Sequence, residues 1–156
     1  MAIVFHNTES EIYVGILKAA ATVTPGCAVI ADYSAGTAAS PATDGAGDGY
    51  GVHVVCNYDP YAATDMTDTE DYTVGANEYL LLKQLQTGDA FTTDQIIGTY
   101  ASIAVDDIFA VNGTAATGTI GKWVAIGVRT PVVRVQVIEK NTLFGNNALK
   151  FRVIAA

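Results

Sequence analysis

Apolar and polar residues alternate along several short segments of this chain, and the clearest alternation lies near its C-terminal end. In Pro131–Glu139, every second residue from Val133 to Val137 is a valine. A period of two residues predicts an antiparallel strand with one buried and one solvated face. Lys122–Arg129 and Leu149–Ile154 have similar patterns and predict two further strands.

Turn-forming residues separate roughly nine such segments, at the spacing that is typical of β-sandwiches and barrels. No long segment has the period of an amphipathic helix. The pattern therefore predicts an all-β fold, a small antiparallel β-barrel or β-sandwich with long loops and little helix. The length of 156 residues indicates one domain, which we place at residues 11–156 after an N-terminal arm at residues 1–10.

The densest apolar run is Tyr79–Leu85, in which Lys83 is the only charged residue. A Gly-Asp turn at residues 88–89 separates this run from Ala90–Ile97, which is rich in β-branched and aromatic residues. This order predicts two consecutive strands that form a pair around the turn.

Other segments predict turns and shorter elements. Asp32–Gly49 consists largely of small residues and predicts a long loop. Asn112–Gly113 predicts a tight hairpin turn, and Lys140–Asn147 predicts a turn between the last two strands. Glu11–Leu17 is rich in β-branched and aromatic residues and predicts a strand.

Charge is distributed unevenly along the chain. Residues 32–107 contain thirteen acids and one base, a balance of −12, whereas residues 121–156 contain six bases and one acid, a balance of +5. The net charge of −8 argues against binding to a nucleic-acid backbone. The basic C-terminal part has the charge to meet an acidic partner, including the acidic part of another copy.

The sequence contains no recognisable catalytic constellation. It has two histidines and two cysteines, and neither a nucleophile motif nor a phosphate-binding loop accompanies them. We expect His53 to be a packed residue, and Cys27 and Cys56 to be free, buried thiols on strands, although a disulfide is possible if their strands are neighbours. The start of the chain does not resemble a secretion signal, and no apolar stretch is long enough to span a membrane. We therefore expect neither an enzyme nor a cofactor.

An acidic loop carries the weak metal-site candidates Asp65, Asp68, Glu70 and Asp71. Calcium binds clusters of carboxylate oxygens, but this spacing matches no known calcium loop. We therefore expect no metal there but a solvated acidic loop, with a weak calcium or sodium site as the alternative.

Four residues are candidates for contacts between copies of the chain. Leu81 should point away from its neighbours Leu80 and Leu82, so its face of the strand is available for a subunit contact. Tyr58, Tyr61 and Tyr72 flank the acidic loop, and tyrosine is favoured at interfaces. The sequence does not decide between an interface and ordinary half-buried positions for these tyrosines.

A series of strand and turn patterns covers most of the chain in a fixed order: the entry to Thr24-Pro25-Gly26, Tyr50–Cys56, Glu78–Leu82 with its Gly88-Asp89 turn, Asp106–Gly113, Trp123–Val128 and Arg152–Ile154. This order resembles that of small bacteriophage head decoration, or capsid cement, proteins. The resemblance implies a small β-barrel or β-tulip domain that trimerises on the outside of an expanded capsid. It also implies that the protein ties neighbouring major capsid subunits together.

We therefore expect a structural virion protein, made in the host bacterial cytoplasm and located on the capsid exterior. Its expected partners are the major capsid protein and other copies of itself, with neither nucleic acid nor membrane. Terminal segments that can add a strand to a partner supply the capsid-contact candidates, namely Ala2, Ile3, Val4, Phe5, Lys150 and Arg152. The alternatives are a tail-tube or fibre domain, and a surface module that binds carbohydrate or calcium.

Overall fold

The computed structural model describes residues 3–7, 13–41, 52–57, 72–113, 119–128 and 131–156. Within these ranges regular structure is almost entirely β-strand, with one short 3-10 helix at Tyr100–Ser102. The predicted all-β fold is therefore confirmed. The strands in chain order are β1 (Ile3–Asn7), β2 (Tyr13–Val14), β3 (Lys18–Ala19), β4 (Ala28–Asp32), β5 (Thr37–Ala39), β6 (Val52–Val55), β7 (Leu82–Gln84), β8 (Ala90–Thr93), β9 (Ile96–Ile97), β10 (Ile108–Val111), β11 (Trp123–Ala125), β12 (Arg134–Leu143) and β13 (Asn146–Ala155).

The strands form two curled sheets, one of which is a half-barrel. The seven-stranded sheet has the order β1-β8-β13-β12-β10-β11-β9, and the six-stranded sheet has the order β2-β7-β6-β4-β5-β3. Among the described strands, all neighbours are antiparallel except β9 with β11 and β3 with β5. The architecture is therefore close to the predicted antiparallel barrel or sandwich.

An aromatic core joins the two sheets. Phe91, Trp123 and Phe151 are fully buried because they occupy inward positions of β8, β11 and β13. The ring centroid of Trp123 lies 5.4 Å from that of Phe91 and 6.0 Å from that of Phe151. Val54 of the six-stranded sheet belongs to the same cluster. Trp123 Nε1 also donates a 3.1 Å hydrogen bond to the carbonyl of Gly26, which precedes β4, so one side chain contacts both sheets.

A second, aliphatic core lies on the other face of the six-stranded sheet. It contains Leu80, Leu82, Leu17 and Val55, all of which are buried. Val54 and Val55 belong to different cores, because consecutive residues of a strand point to opposite faces. The prediction that Leu80 and Leu82 share one buried face is therefore confirmed.

The predicted strand pair around the Gly-Asp turn is wrong. β7 pairs with β2 and β6 in the six-stranded sheet, whereas β8 pairs with β1 and β13 in the seven-stranded sheet. The turn between them is bonded to β13: Gly88 N–H donates to Val153 O at 2.9 Å, and Val153 N–H donates to Asp89 O at 2.8 Å. These long-range bonds direct the chain from one sheet to the other.

The predicted loop at Asp32–Gly49 is interrupted by β5. Asp32 ends β4, and its Oδ1 accepts hydrogen bonds of 3.0 Å from the backbone N–H groups of Ser34 and Ala35. This short turn returns the chain to Thr37–Ala39, which pairs with β4. Residues 42–49 lie outside the described residues.

The turn predicted over Lys140–Asn147 is present but shorter than predicted. β12 continues to Leu143 and β13 begins at Asn146, so the turn contains only Phe144 and Gly145. The result is a hairpin of two strands with 10 residues each.

Two further elements differ from their sequence predictions. Asn112–Gly113 does not form a tight hairpin turn, because Asn112 N–H donates to Lys122 O and Gly121 N–H donates to Asn112 O, so the connection from β10 to β11 is longer. Of the predicted strand Glu11–Leu17, the structure describes residues 13–17, and β2 covers Tyr13–Val14 of these.

Candidate functional site

Strand β1 forms one edge of the seven-stranded sheet and holds three of the four predicted N-terminal contact residues. Ile3 and Phe5 pack against the aromatic core. The ring centroid of Phe5 lies 5.7 Å from that of Phe91, which faces it on β8. These contacts attach β1 to the sheet through its inward side. Ala2 lies outside the described residues.

The outward face of this sheet brings the two ends of the chain together. Val4 is 41% exposed and lies opposite Thr92, and Thr92 lies opposite Lys150. The three side chains therefore form one row across β1, β8 and β13. Arg152 lies two residues further along β13 and shares this face. Of the sequence-predicted contact residues, Val4, Lys150 and Arg152 thus share the outward face, with the buried Thr92 between Val4 and Lys150, whereas Ile3 and Phe5 point inward.

Basic residues of two neighbouring strands share this outward face, and we call Arg134, Lys150 and Arg152 the basic face. Arg134 is on the same side because the alternating residues Val135 and Val137 point into the core. Lys150 Nζ lies 3.4 Å from Glu139 Oε2 in an exposed ion pair. The three bases outnumber Glu139, the acid that is paired with Lys150, so the face is suited to an acidic partner.

A groove of about 370 Å³ opens on the basic face. Gln136, which lies opposite Arg152, donates a 3.0 Å hydrogen bond from Nε2 to Asp106 Oδ1. The groove is lined by Thr87, Gly88, Gln136, Arg152, Val153 and Ile154. It therefore places one guanidinium group beside a shallow depression with a mixed polar and apolar wall.

A buried ion pair lies beneath β1. Lys83 Nζ is 3.3 Å from Asp89 Oδ2, and both side chains are completely buried. The ring of Phe5 covers the ammonium group, with 5.4 Å between Nζ and the ring centroid. Asp89 Oδ2 also accepts a 3.0 Å hydrogen bond from Gln86 N–H. The sequence marked Lys83 as a lone charge in an apolar run, but Asp89 looked only like a turn residue.

Leu81, a predicted contact between copies, lies in an exposed apolar patch that we define as Ile16, Tyr79 and Leu81. Leu81 is half-buried, whereas Ile16 is 72% and Tyr79 62% exposed. Ile16 lies near Tyr79 because Lys18, two residues from Ile16, forms an antiparallel bridge with Tyr79. Asn57 fixes this edge, since its Oδ1 accepts from Leu81 N–H at 2.7 Å and its Nδ2 donates to Tyr79 O at 3.0 Å.

The structure does not bring Tyr72 to this patch. Tyr72 is half-buried and packs against the second, aliphatic core, on the other side of the six-stranded sheet. Tyr58 and Tyr61 lie outside the described residues. The sequence missed Ile16 and Tyr79 because each is one apolar residue within an apolar segment, and only the strand register shows that both point outward.

The expectation of a solvated acidic loop without a metal ion stays a prediction. Asp65, Asp68, Glu70 and Asp71 all lie outside the described ranges. Among the residues that the structure describes, no group of three or more His, Cys, Asp or Glu side chains is arranged to hold a metal ion. The described ranges also contain no helix that is both long and apolar enough to cross a membrane.

Both cysteines are free thiols, as predicted. The prediction that both are buried on strands is wrong in part: Cys27 is buried just before β4, and Cys56 is half-buried just after β6. Burial raises the pKa of each thiol from its ordinary value of 9.0 to about 12. A thiol with such a pKa is protonated at neutral pH and is a poor nucleophile. His53 is buried on β6, in agreement with the prediction of a packed residue.

Comparison with known proteins gives no relative. No protein-family model matches the sequence, and neither the search of curated proteins nor the search of solved structures found a match. The function must therefore be argued from the surfaces of this chain and from the resemblance in its strand and turn patterns.

Proposed function

We propose that this chain is a non-enzymatic structural protein of a bacteriophage virion. It is made in the host bacterial cytoplasm, binds the outer surface of the capsid and bridges major capsid subunits as a homotrimer. It requires no cofactor and binds neither nucleic acid nor membrane. The observation that carries this proposal is the row formed by Val4, Thr92 and Lys150, because it places the edge strand and the basic face on one surface.

The edge strand supplies the backbone part of the contact. Within the described part of the chain, β1 pairs only with β8, so its other side presents N–H and C=O groups. Such an edge accepts an extended segment of a partner protein through main-chain hydrogen bonds. The outward side chain of Val4 would lie beside a side chain of such a segment, while Ile3 and Phe5 keep β1 attached to the core.

The basic face supplies the electrostatic part. Lys150 and Arg152 lie on β13, which β8 separates from β1, so an acidic surface of a capsid subunit that lies over the outward face would meet them while its extended segment pairs with β1. Complementary charge speeds association and fixes register, and its contribution declines as salt increases. Binding at this surface should therefore weaken at high ionic strength.

Co-sedimentation with expanded, undecorated heads of the phage that encodes the chain tests this proposal. Wild-type protein should saturate the heads and raise the temperature at which they come apart, since a ligand of the assembled state stabilises it. The double variant Lys150→Glu/Arg152→Glu should bind at least about tenfold more weakly. Lys122→Glu reverses one charge outside the basic face and should bind normally. Failure of the wild-type protein to bind at any concentration would refute the proposal.

A virion tube protein is the second candidate, and one observation favours it. β12 and β13 form a hairpin of 10 residues per strand, and a tube protein needs a long hairpin to contact the next ring. Electron microscopy of the purified protein separates the two functions. Discrete small oligomers support capsid decoration, whereas stacked rings or tubes would support the tube function.

A further inference from the structure

The β12–β13 hairpin extends beyond the rest of the seven-stranded sheet. Hydrogen bonds from the β10 side reach β12 as far as Val137. Pairing from the β8 side reaches β13 as far as Leu149. Beyond these two positions, the described strands β12 and β13 pair with each other up to the turn.

The base of this hairpin is held in a fixed position by the 3-10 helix. Tyr100 Oη donates a 2.9 Å hydrogen bond to Asn141 O. Lys140 Nζ donates to Tyr100 O at 2.7 Å and to Ile103 O at 2.9 Å. The hairpin is therefore braced as far as Asn141, and residues 142–147, which we call the hairpin tip, project beyond the brace. A projecting tip on a rigid base binds a partner without a large loss of conformational entropy.

The turn at the tip has an unusual residue in its first position. Phe144 has φ 48° and Gly145 has φ 84°, so both residues are in the left-handed region. A two-residue hairpin turn of this kind favours Asn-Gly, and a bulky residue is disfavoured at positive φ. Phe144 is also 54% exposed. In an isolated copy this side chain is therefore unfavourable for two reasons, its backbone conformation and its exposed ring.

The hairpin tip and the residues next to it are uncharged. Residues 141–149 read Asn-Thr-Leu-Phe-Gly-Asn-Asn-Ala-Leu and contain no acid or base. An acidic or basic partner would gain no ion pair from this surface. The tip is suited to an uncharged apolar partner surface that can cover the Phe144 ring.

The apolar patch of Ile16, Tyr79 and Leu81 is such a surface, and it lies on the other sheet of the same molecule. The ammonium group of Lys18 lies next to this patch. It makes a cation–π contact with Tyr79, with 5.0 Å between Nζ and the ring centroid. Tip and patch are both exposed in one copy, so neither covers the other within that copy.

We propose that the hairpin tip of one copy packs on the apolar patch of a second copy, with Phe144 as the central anchor. The contact joins two different surfaces, so it is head-to-tail, and repeated contacts of this type close into a ring when the rotation allows. This inference rests on the self-association in the proposed function and identifies the surfaces that produce it. The strained aromatic turn then stabilises the assembly at the expense of the monomer.

Sedimentation velocity and thermal unfolding of the variant Phe144→Asn test the proposal. Asparagine suits the turn and removes the exposed ring, so unfolding of the dilute monomer should shift to higher temperature. Self-association should weaken at least about tenfold, because a buried aromatic anchor is removed. Val128→Thr, which removes an exposed apolar side chain outside both surfaces, should leave self-association unchanged.

Tyr79→Ser probes the patch in the same way and should also weaken self-association at least about tenfold. If the two side chains meet across the contact, the double variant should be little weaker than either single variant. A wild-type protein that is monomeric at all concentrations would overturn the proposal, and so would normal association of either variant. Head binding is measured separately, so a monomer that still decorates heads would refute this contact and the homotrimer but leave the proposed binding to the capsid intact.

Discussion

The two sheets differ in how they are built, and the difference indicates where the stability of the molecule resides. The seven-stranded sheet contains the longest strands and fills its inner face with the rings of Phe91, Trp123 and Phe151. The six-stranded sheet has strands of 2–5 residues, and its second core contains aliphatic side chains such as Leu82 and Val55. Short strands with small side chains bury little area, so this sheet depends on the aromatic core of its partner.

Close contacts between the sheets support this dependence. Ala28 N–H donates a 2.7 Å hydrogen bond to Gly121 O, next to the bond between Trp123 and Gly26. Gly121 has φ +81°, and a Cβ at this position would lie 2.6 Å from Ala28 O. The connection before β11 thus has no room for a side chain where it touches β4. The two sheets should therefore unfold together.

The largest effect should come from Trp123→Ala. Removing this fully buried indole should lower the free energy of unfolding by about 3–5 kcal/mol. Both sheets should unfold in one transition when the variant is titrated with urea and unfolding is monitored by circular dichroism. Trp123→Phe keeps most of the ring and loses the bond to Gly26, so it should cost much less. Two separate transitions, in either variant or in the wild type, would contradict the dependence of one sheet on the other.

The next effect should come from the ion pair beneath β1. Lys83→Ala leaves Asp89 buried without this ammonium group and should cost about 3–5 kcal/mol. The double variant Lys83→Met/Asp89→Leu should recover most of this loss, because no charge stays buried.

An exposed pair provides the matched control for this prediction. Glu139→Gln breaks the contact with Lys150 on the outer face and should cost less than about 1 kcal/mol. Chemical denaturation gives all three values. A small loss for Lys83→Ala would show that water reaches Asp89 once the lysine is removed.

A smaller, pH-dependent effect should come from the thiols of the six-stranded sheet. Each folded-state pKa of about 12 lies above the ordinary value of 9.0, so folding favours the protonated thiol. This contribution is complete below pH 9 and is lost as the pH rises from about 9 to about 12. At pH 10 the loss should be about 1 kcal/mol per thiol.

The variant Cys27→Ala/Cys56→Ala should show a smaller decrease in stability over that pH range than the wild type. Reaction of the wild type with a thiol reagent at pH 8 should be slow when folded and fast in urea. Rapid labelling of the folded protein would show that the six-stranded sheet opens independently of its partner.

Local patterns in the sequence predicted the interior better than the connections. The alternation from Val133 to Val137 placed these residues in the core, and the leucine run placed Leu80 and Leu82 on one face, because burial repeats with the period of the strand. The pairing of β7 with β8 was predicted wrongly, since the turn at Gly88 has local features of a hairpin. Its true direction depends on bonds to Val153, which is distant in sequence.

The candidate surfaces were predicted only as separate pieces. The sequence identified Val4 and Lys150 as contact residues but could not show that β8 places them in one row. The turn at Phe144 was predicted too broadly, because phenylalanine is rare where both turn residues have positive φ. The partner of Lys83 was missed for a similar reason, since an aspartate after a glycine is typical of an exposed turn.

The order β1-β8-β13 also has a consequence for synthesis on the ribosome. The first strand pairs with a strand from the middle of the chain, and that strand pairs with the last one. The seven-stranded sheet therefore cannot be completed until β13 has been synthesised. Sheets with such distant pairings fold slowly, and their strand edges are open to association in the meantime. Slower translation should not improve folding, because β1 still has to wait for its distant partner strands. A lower temperature during expression should increase the soluble yield.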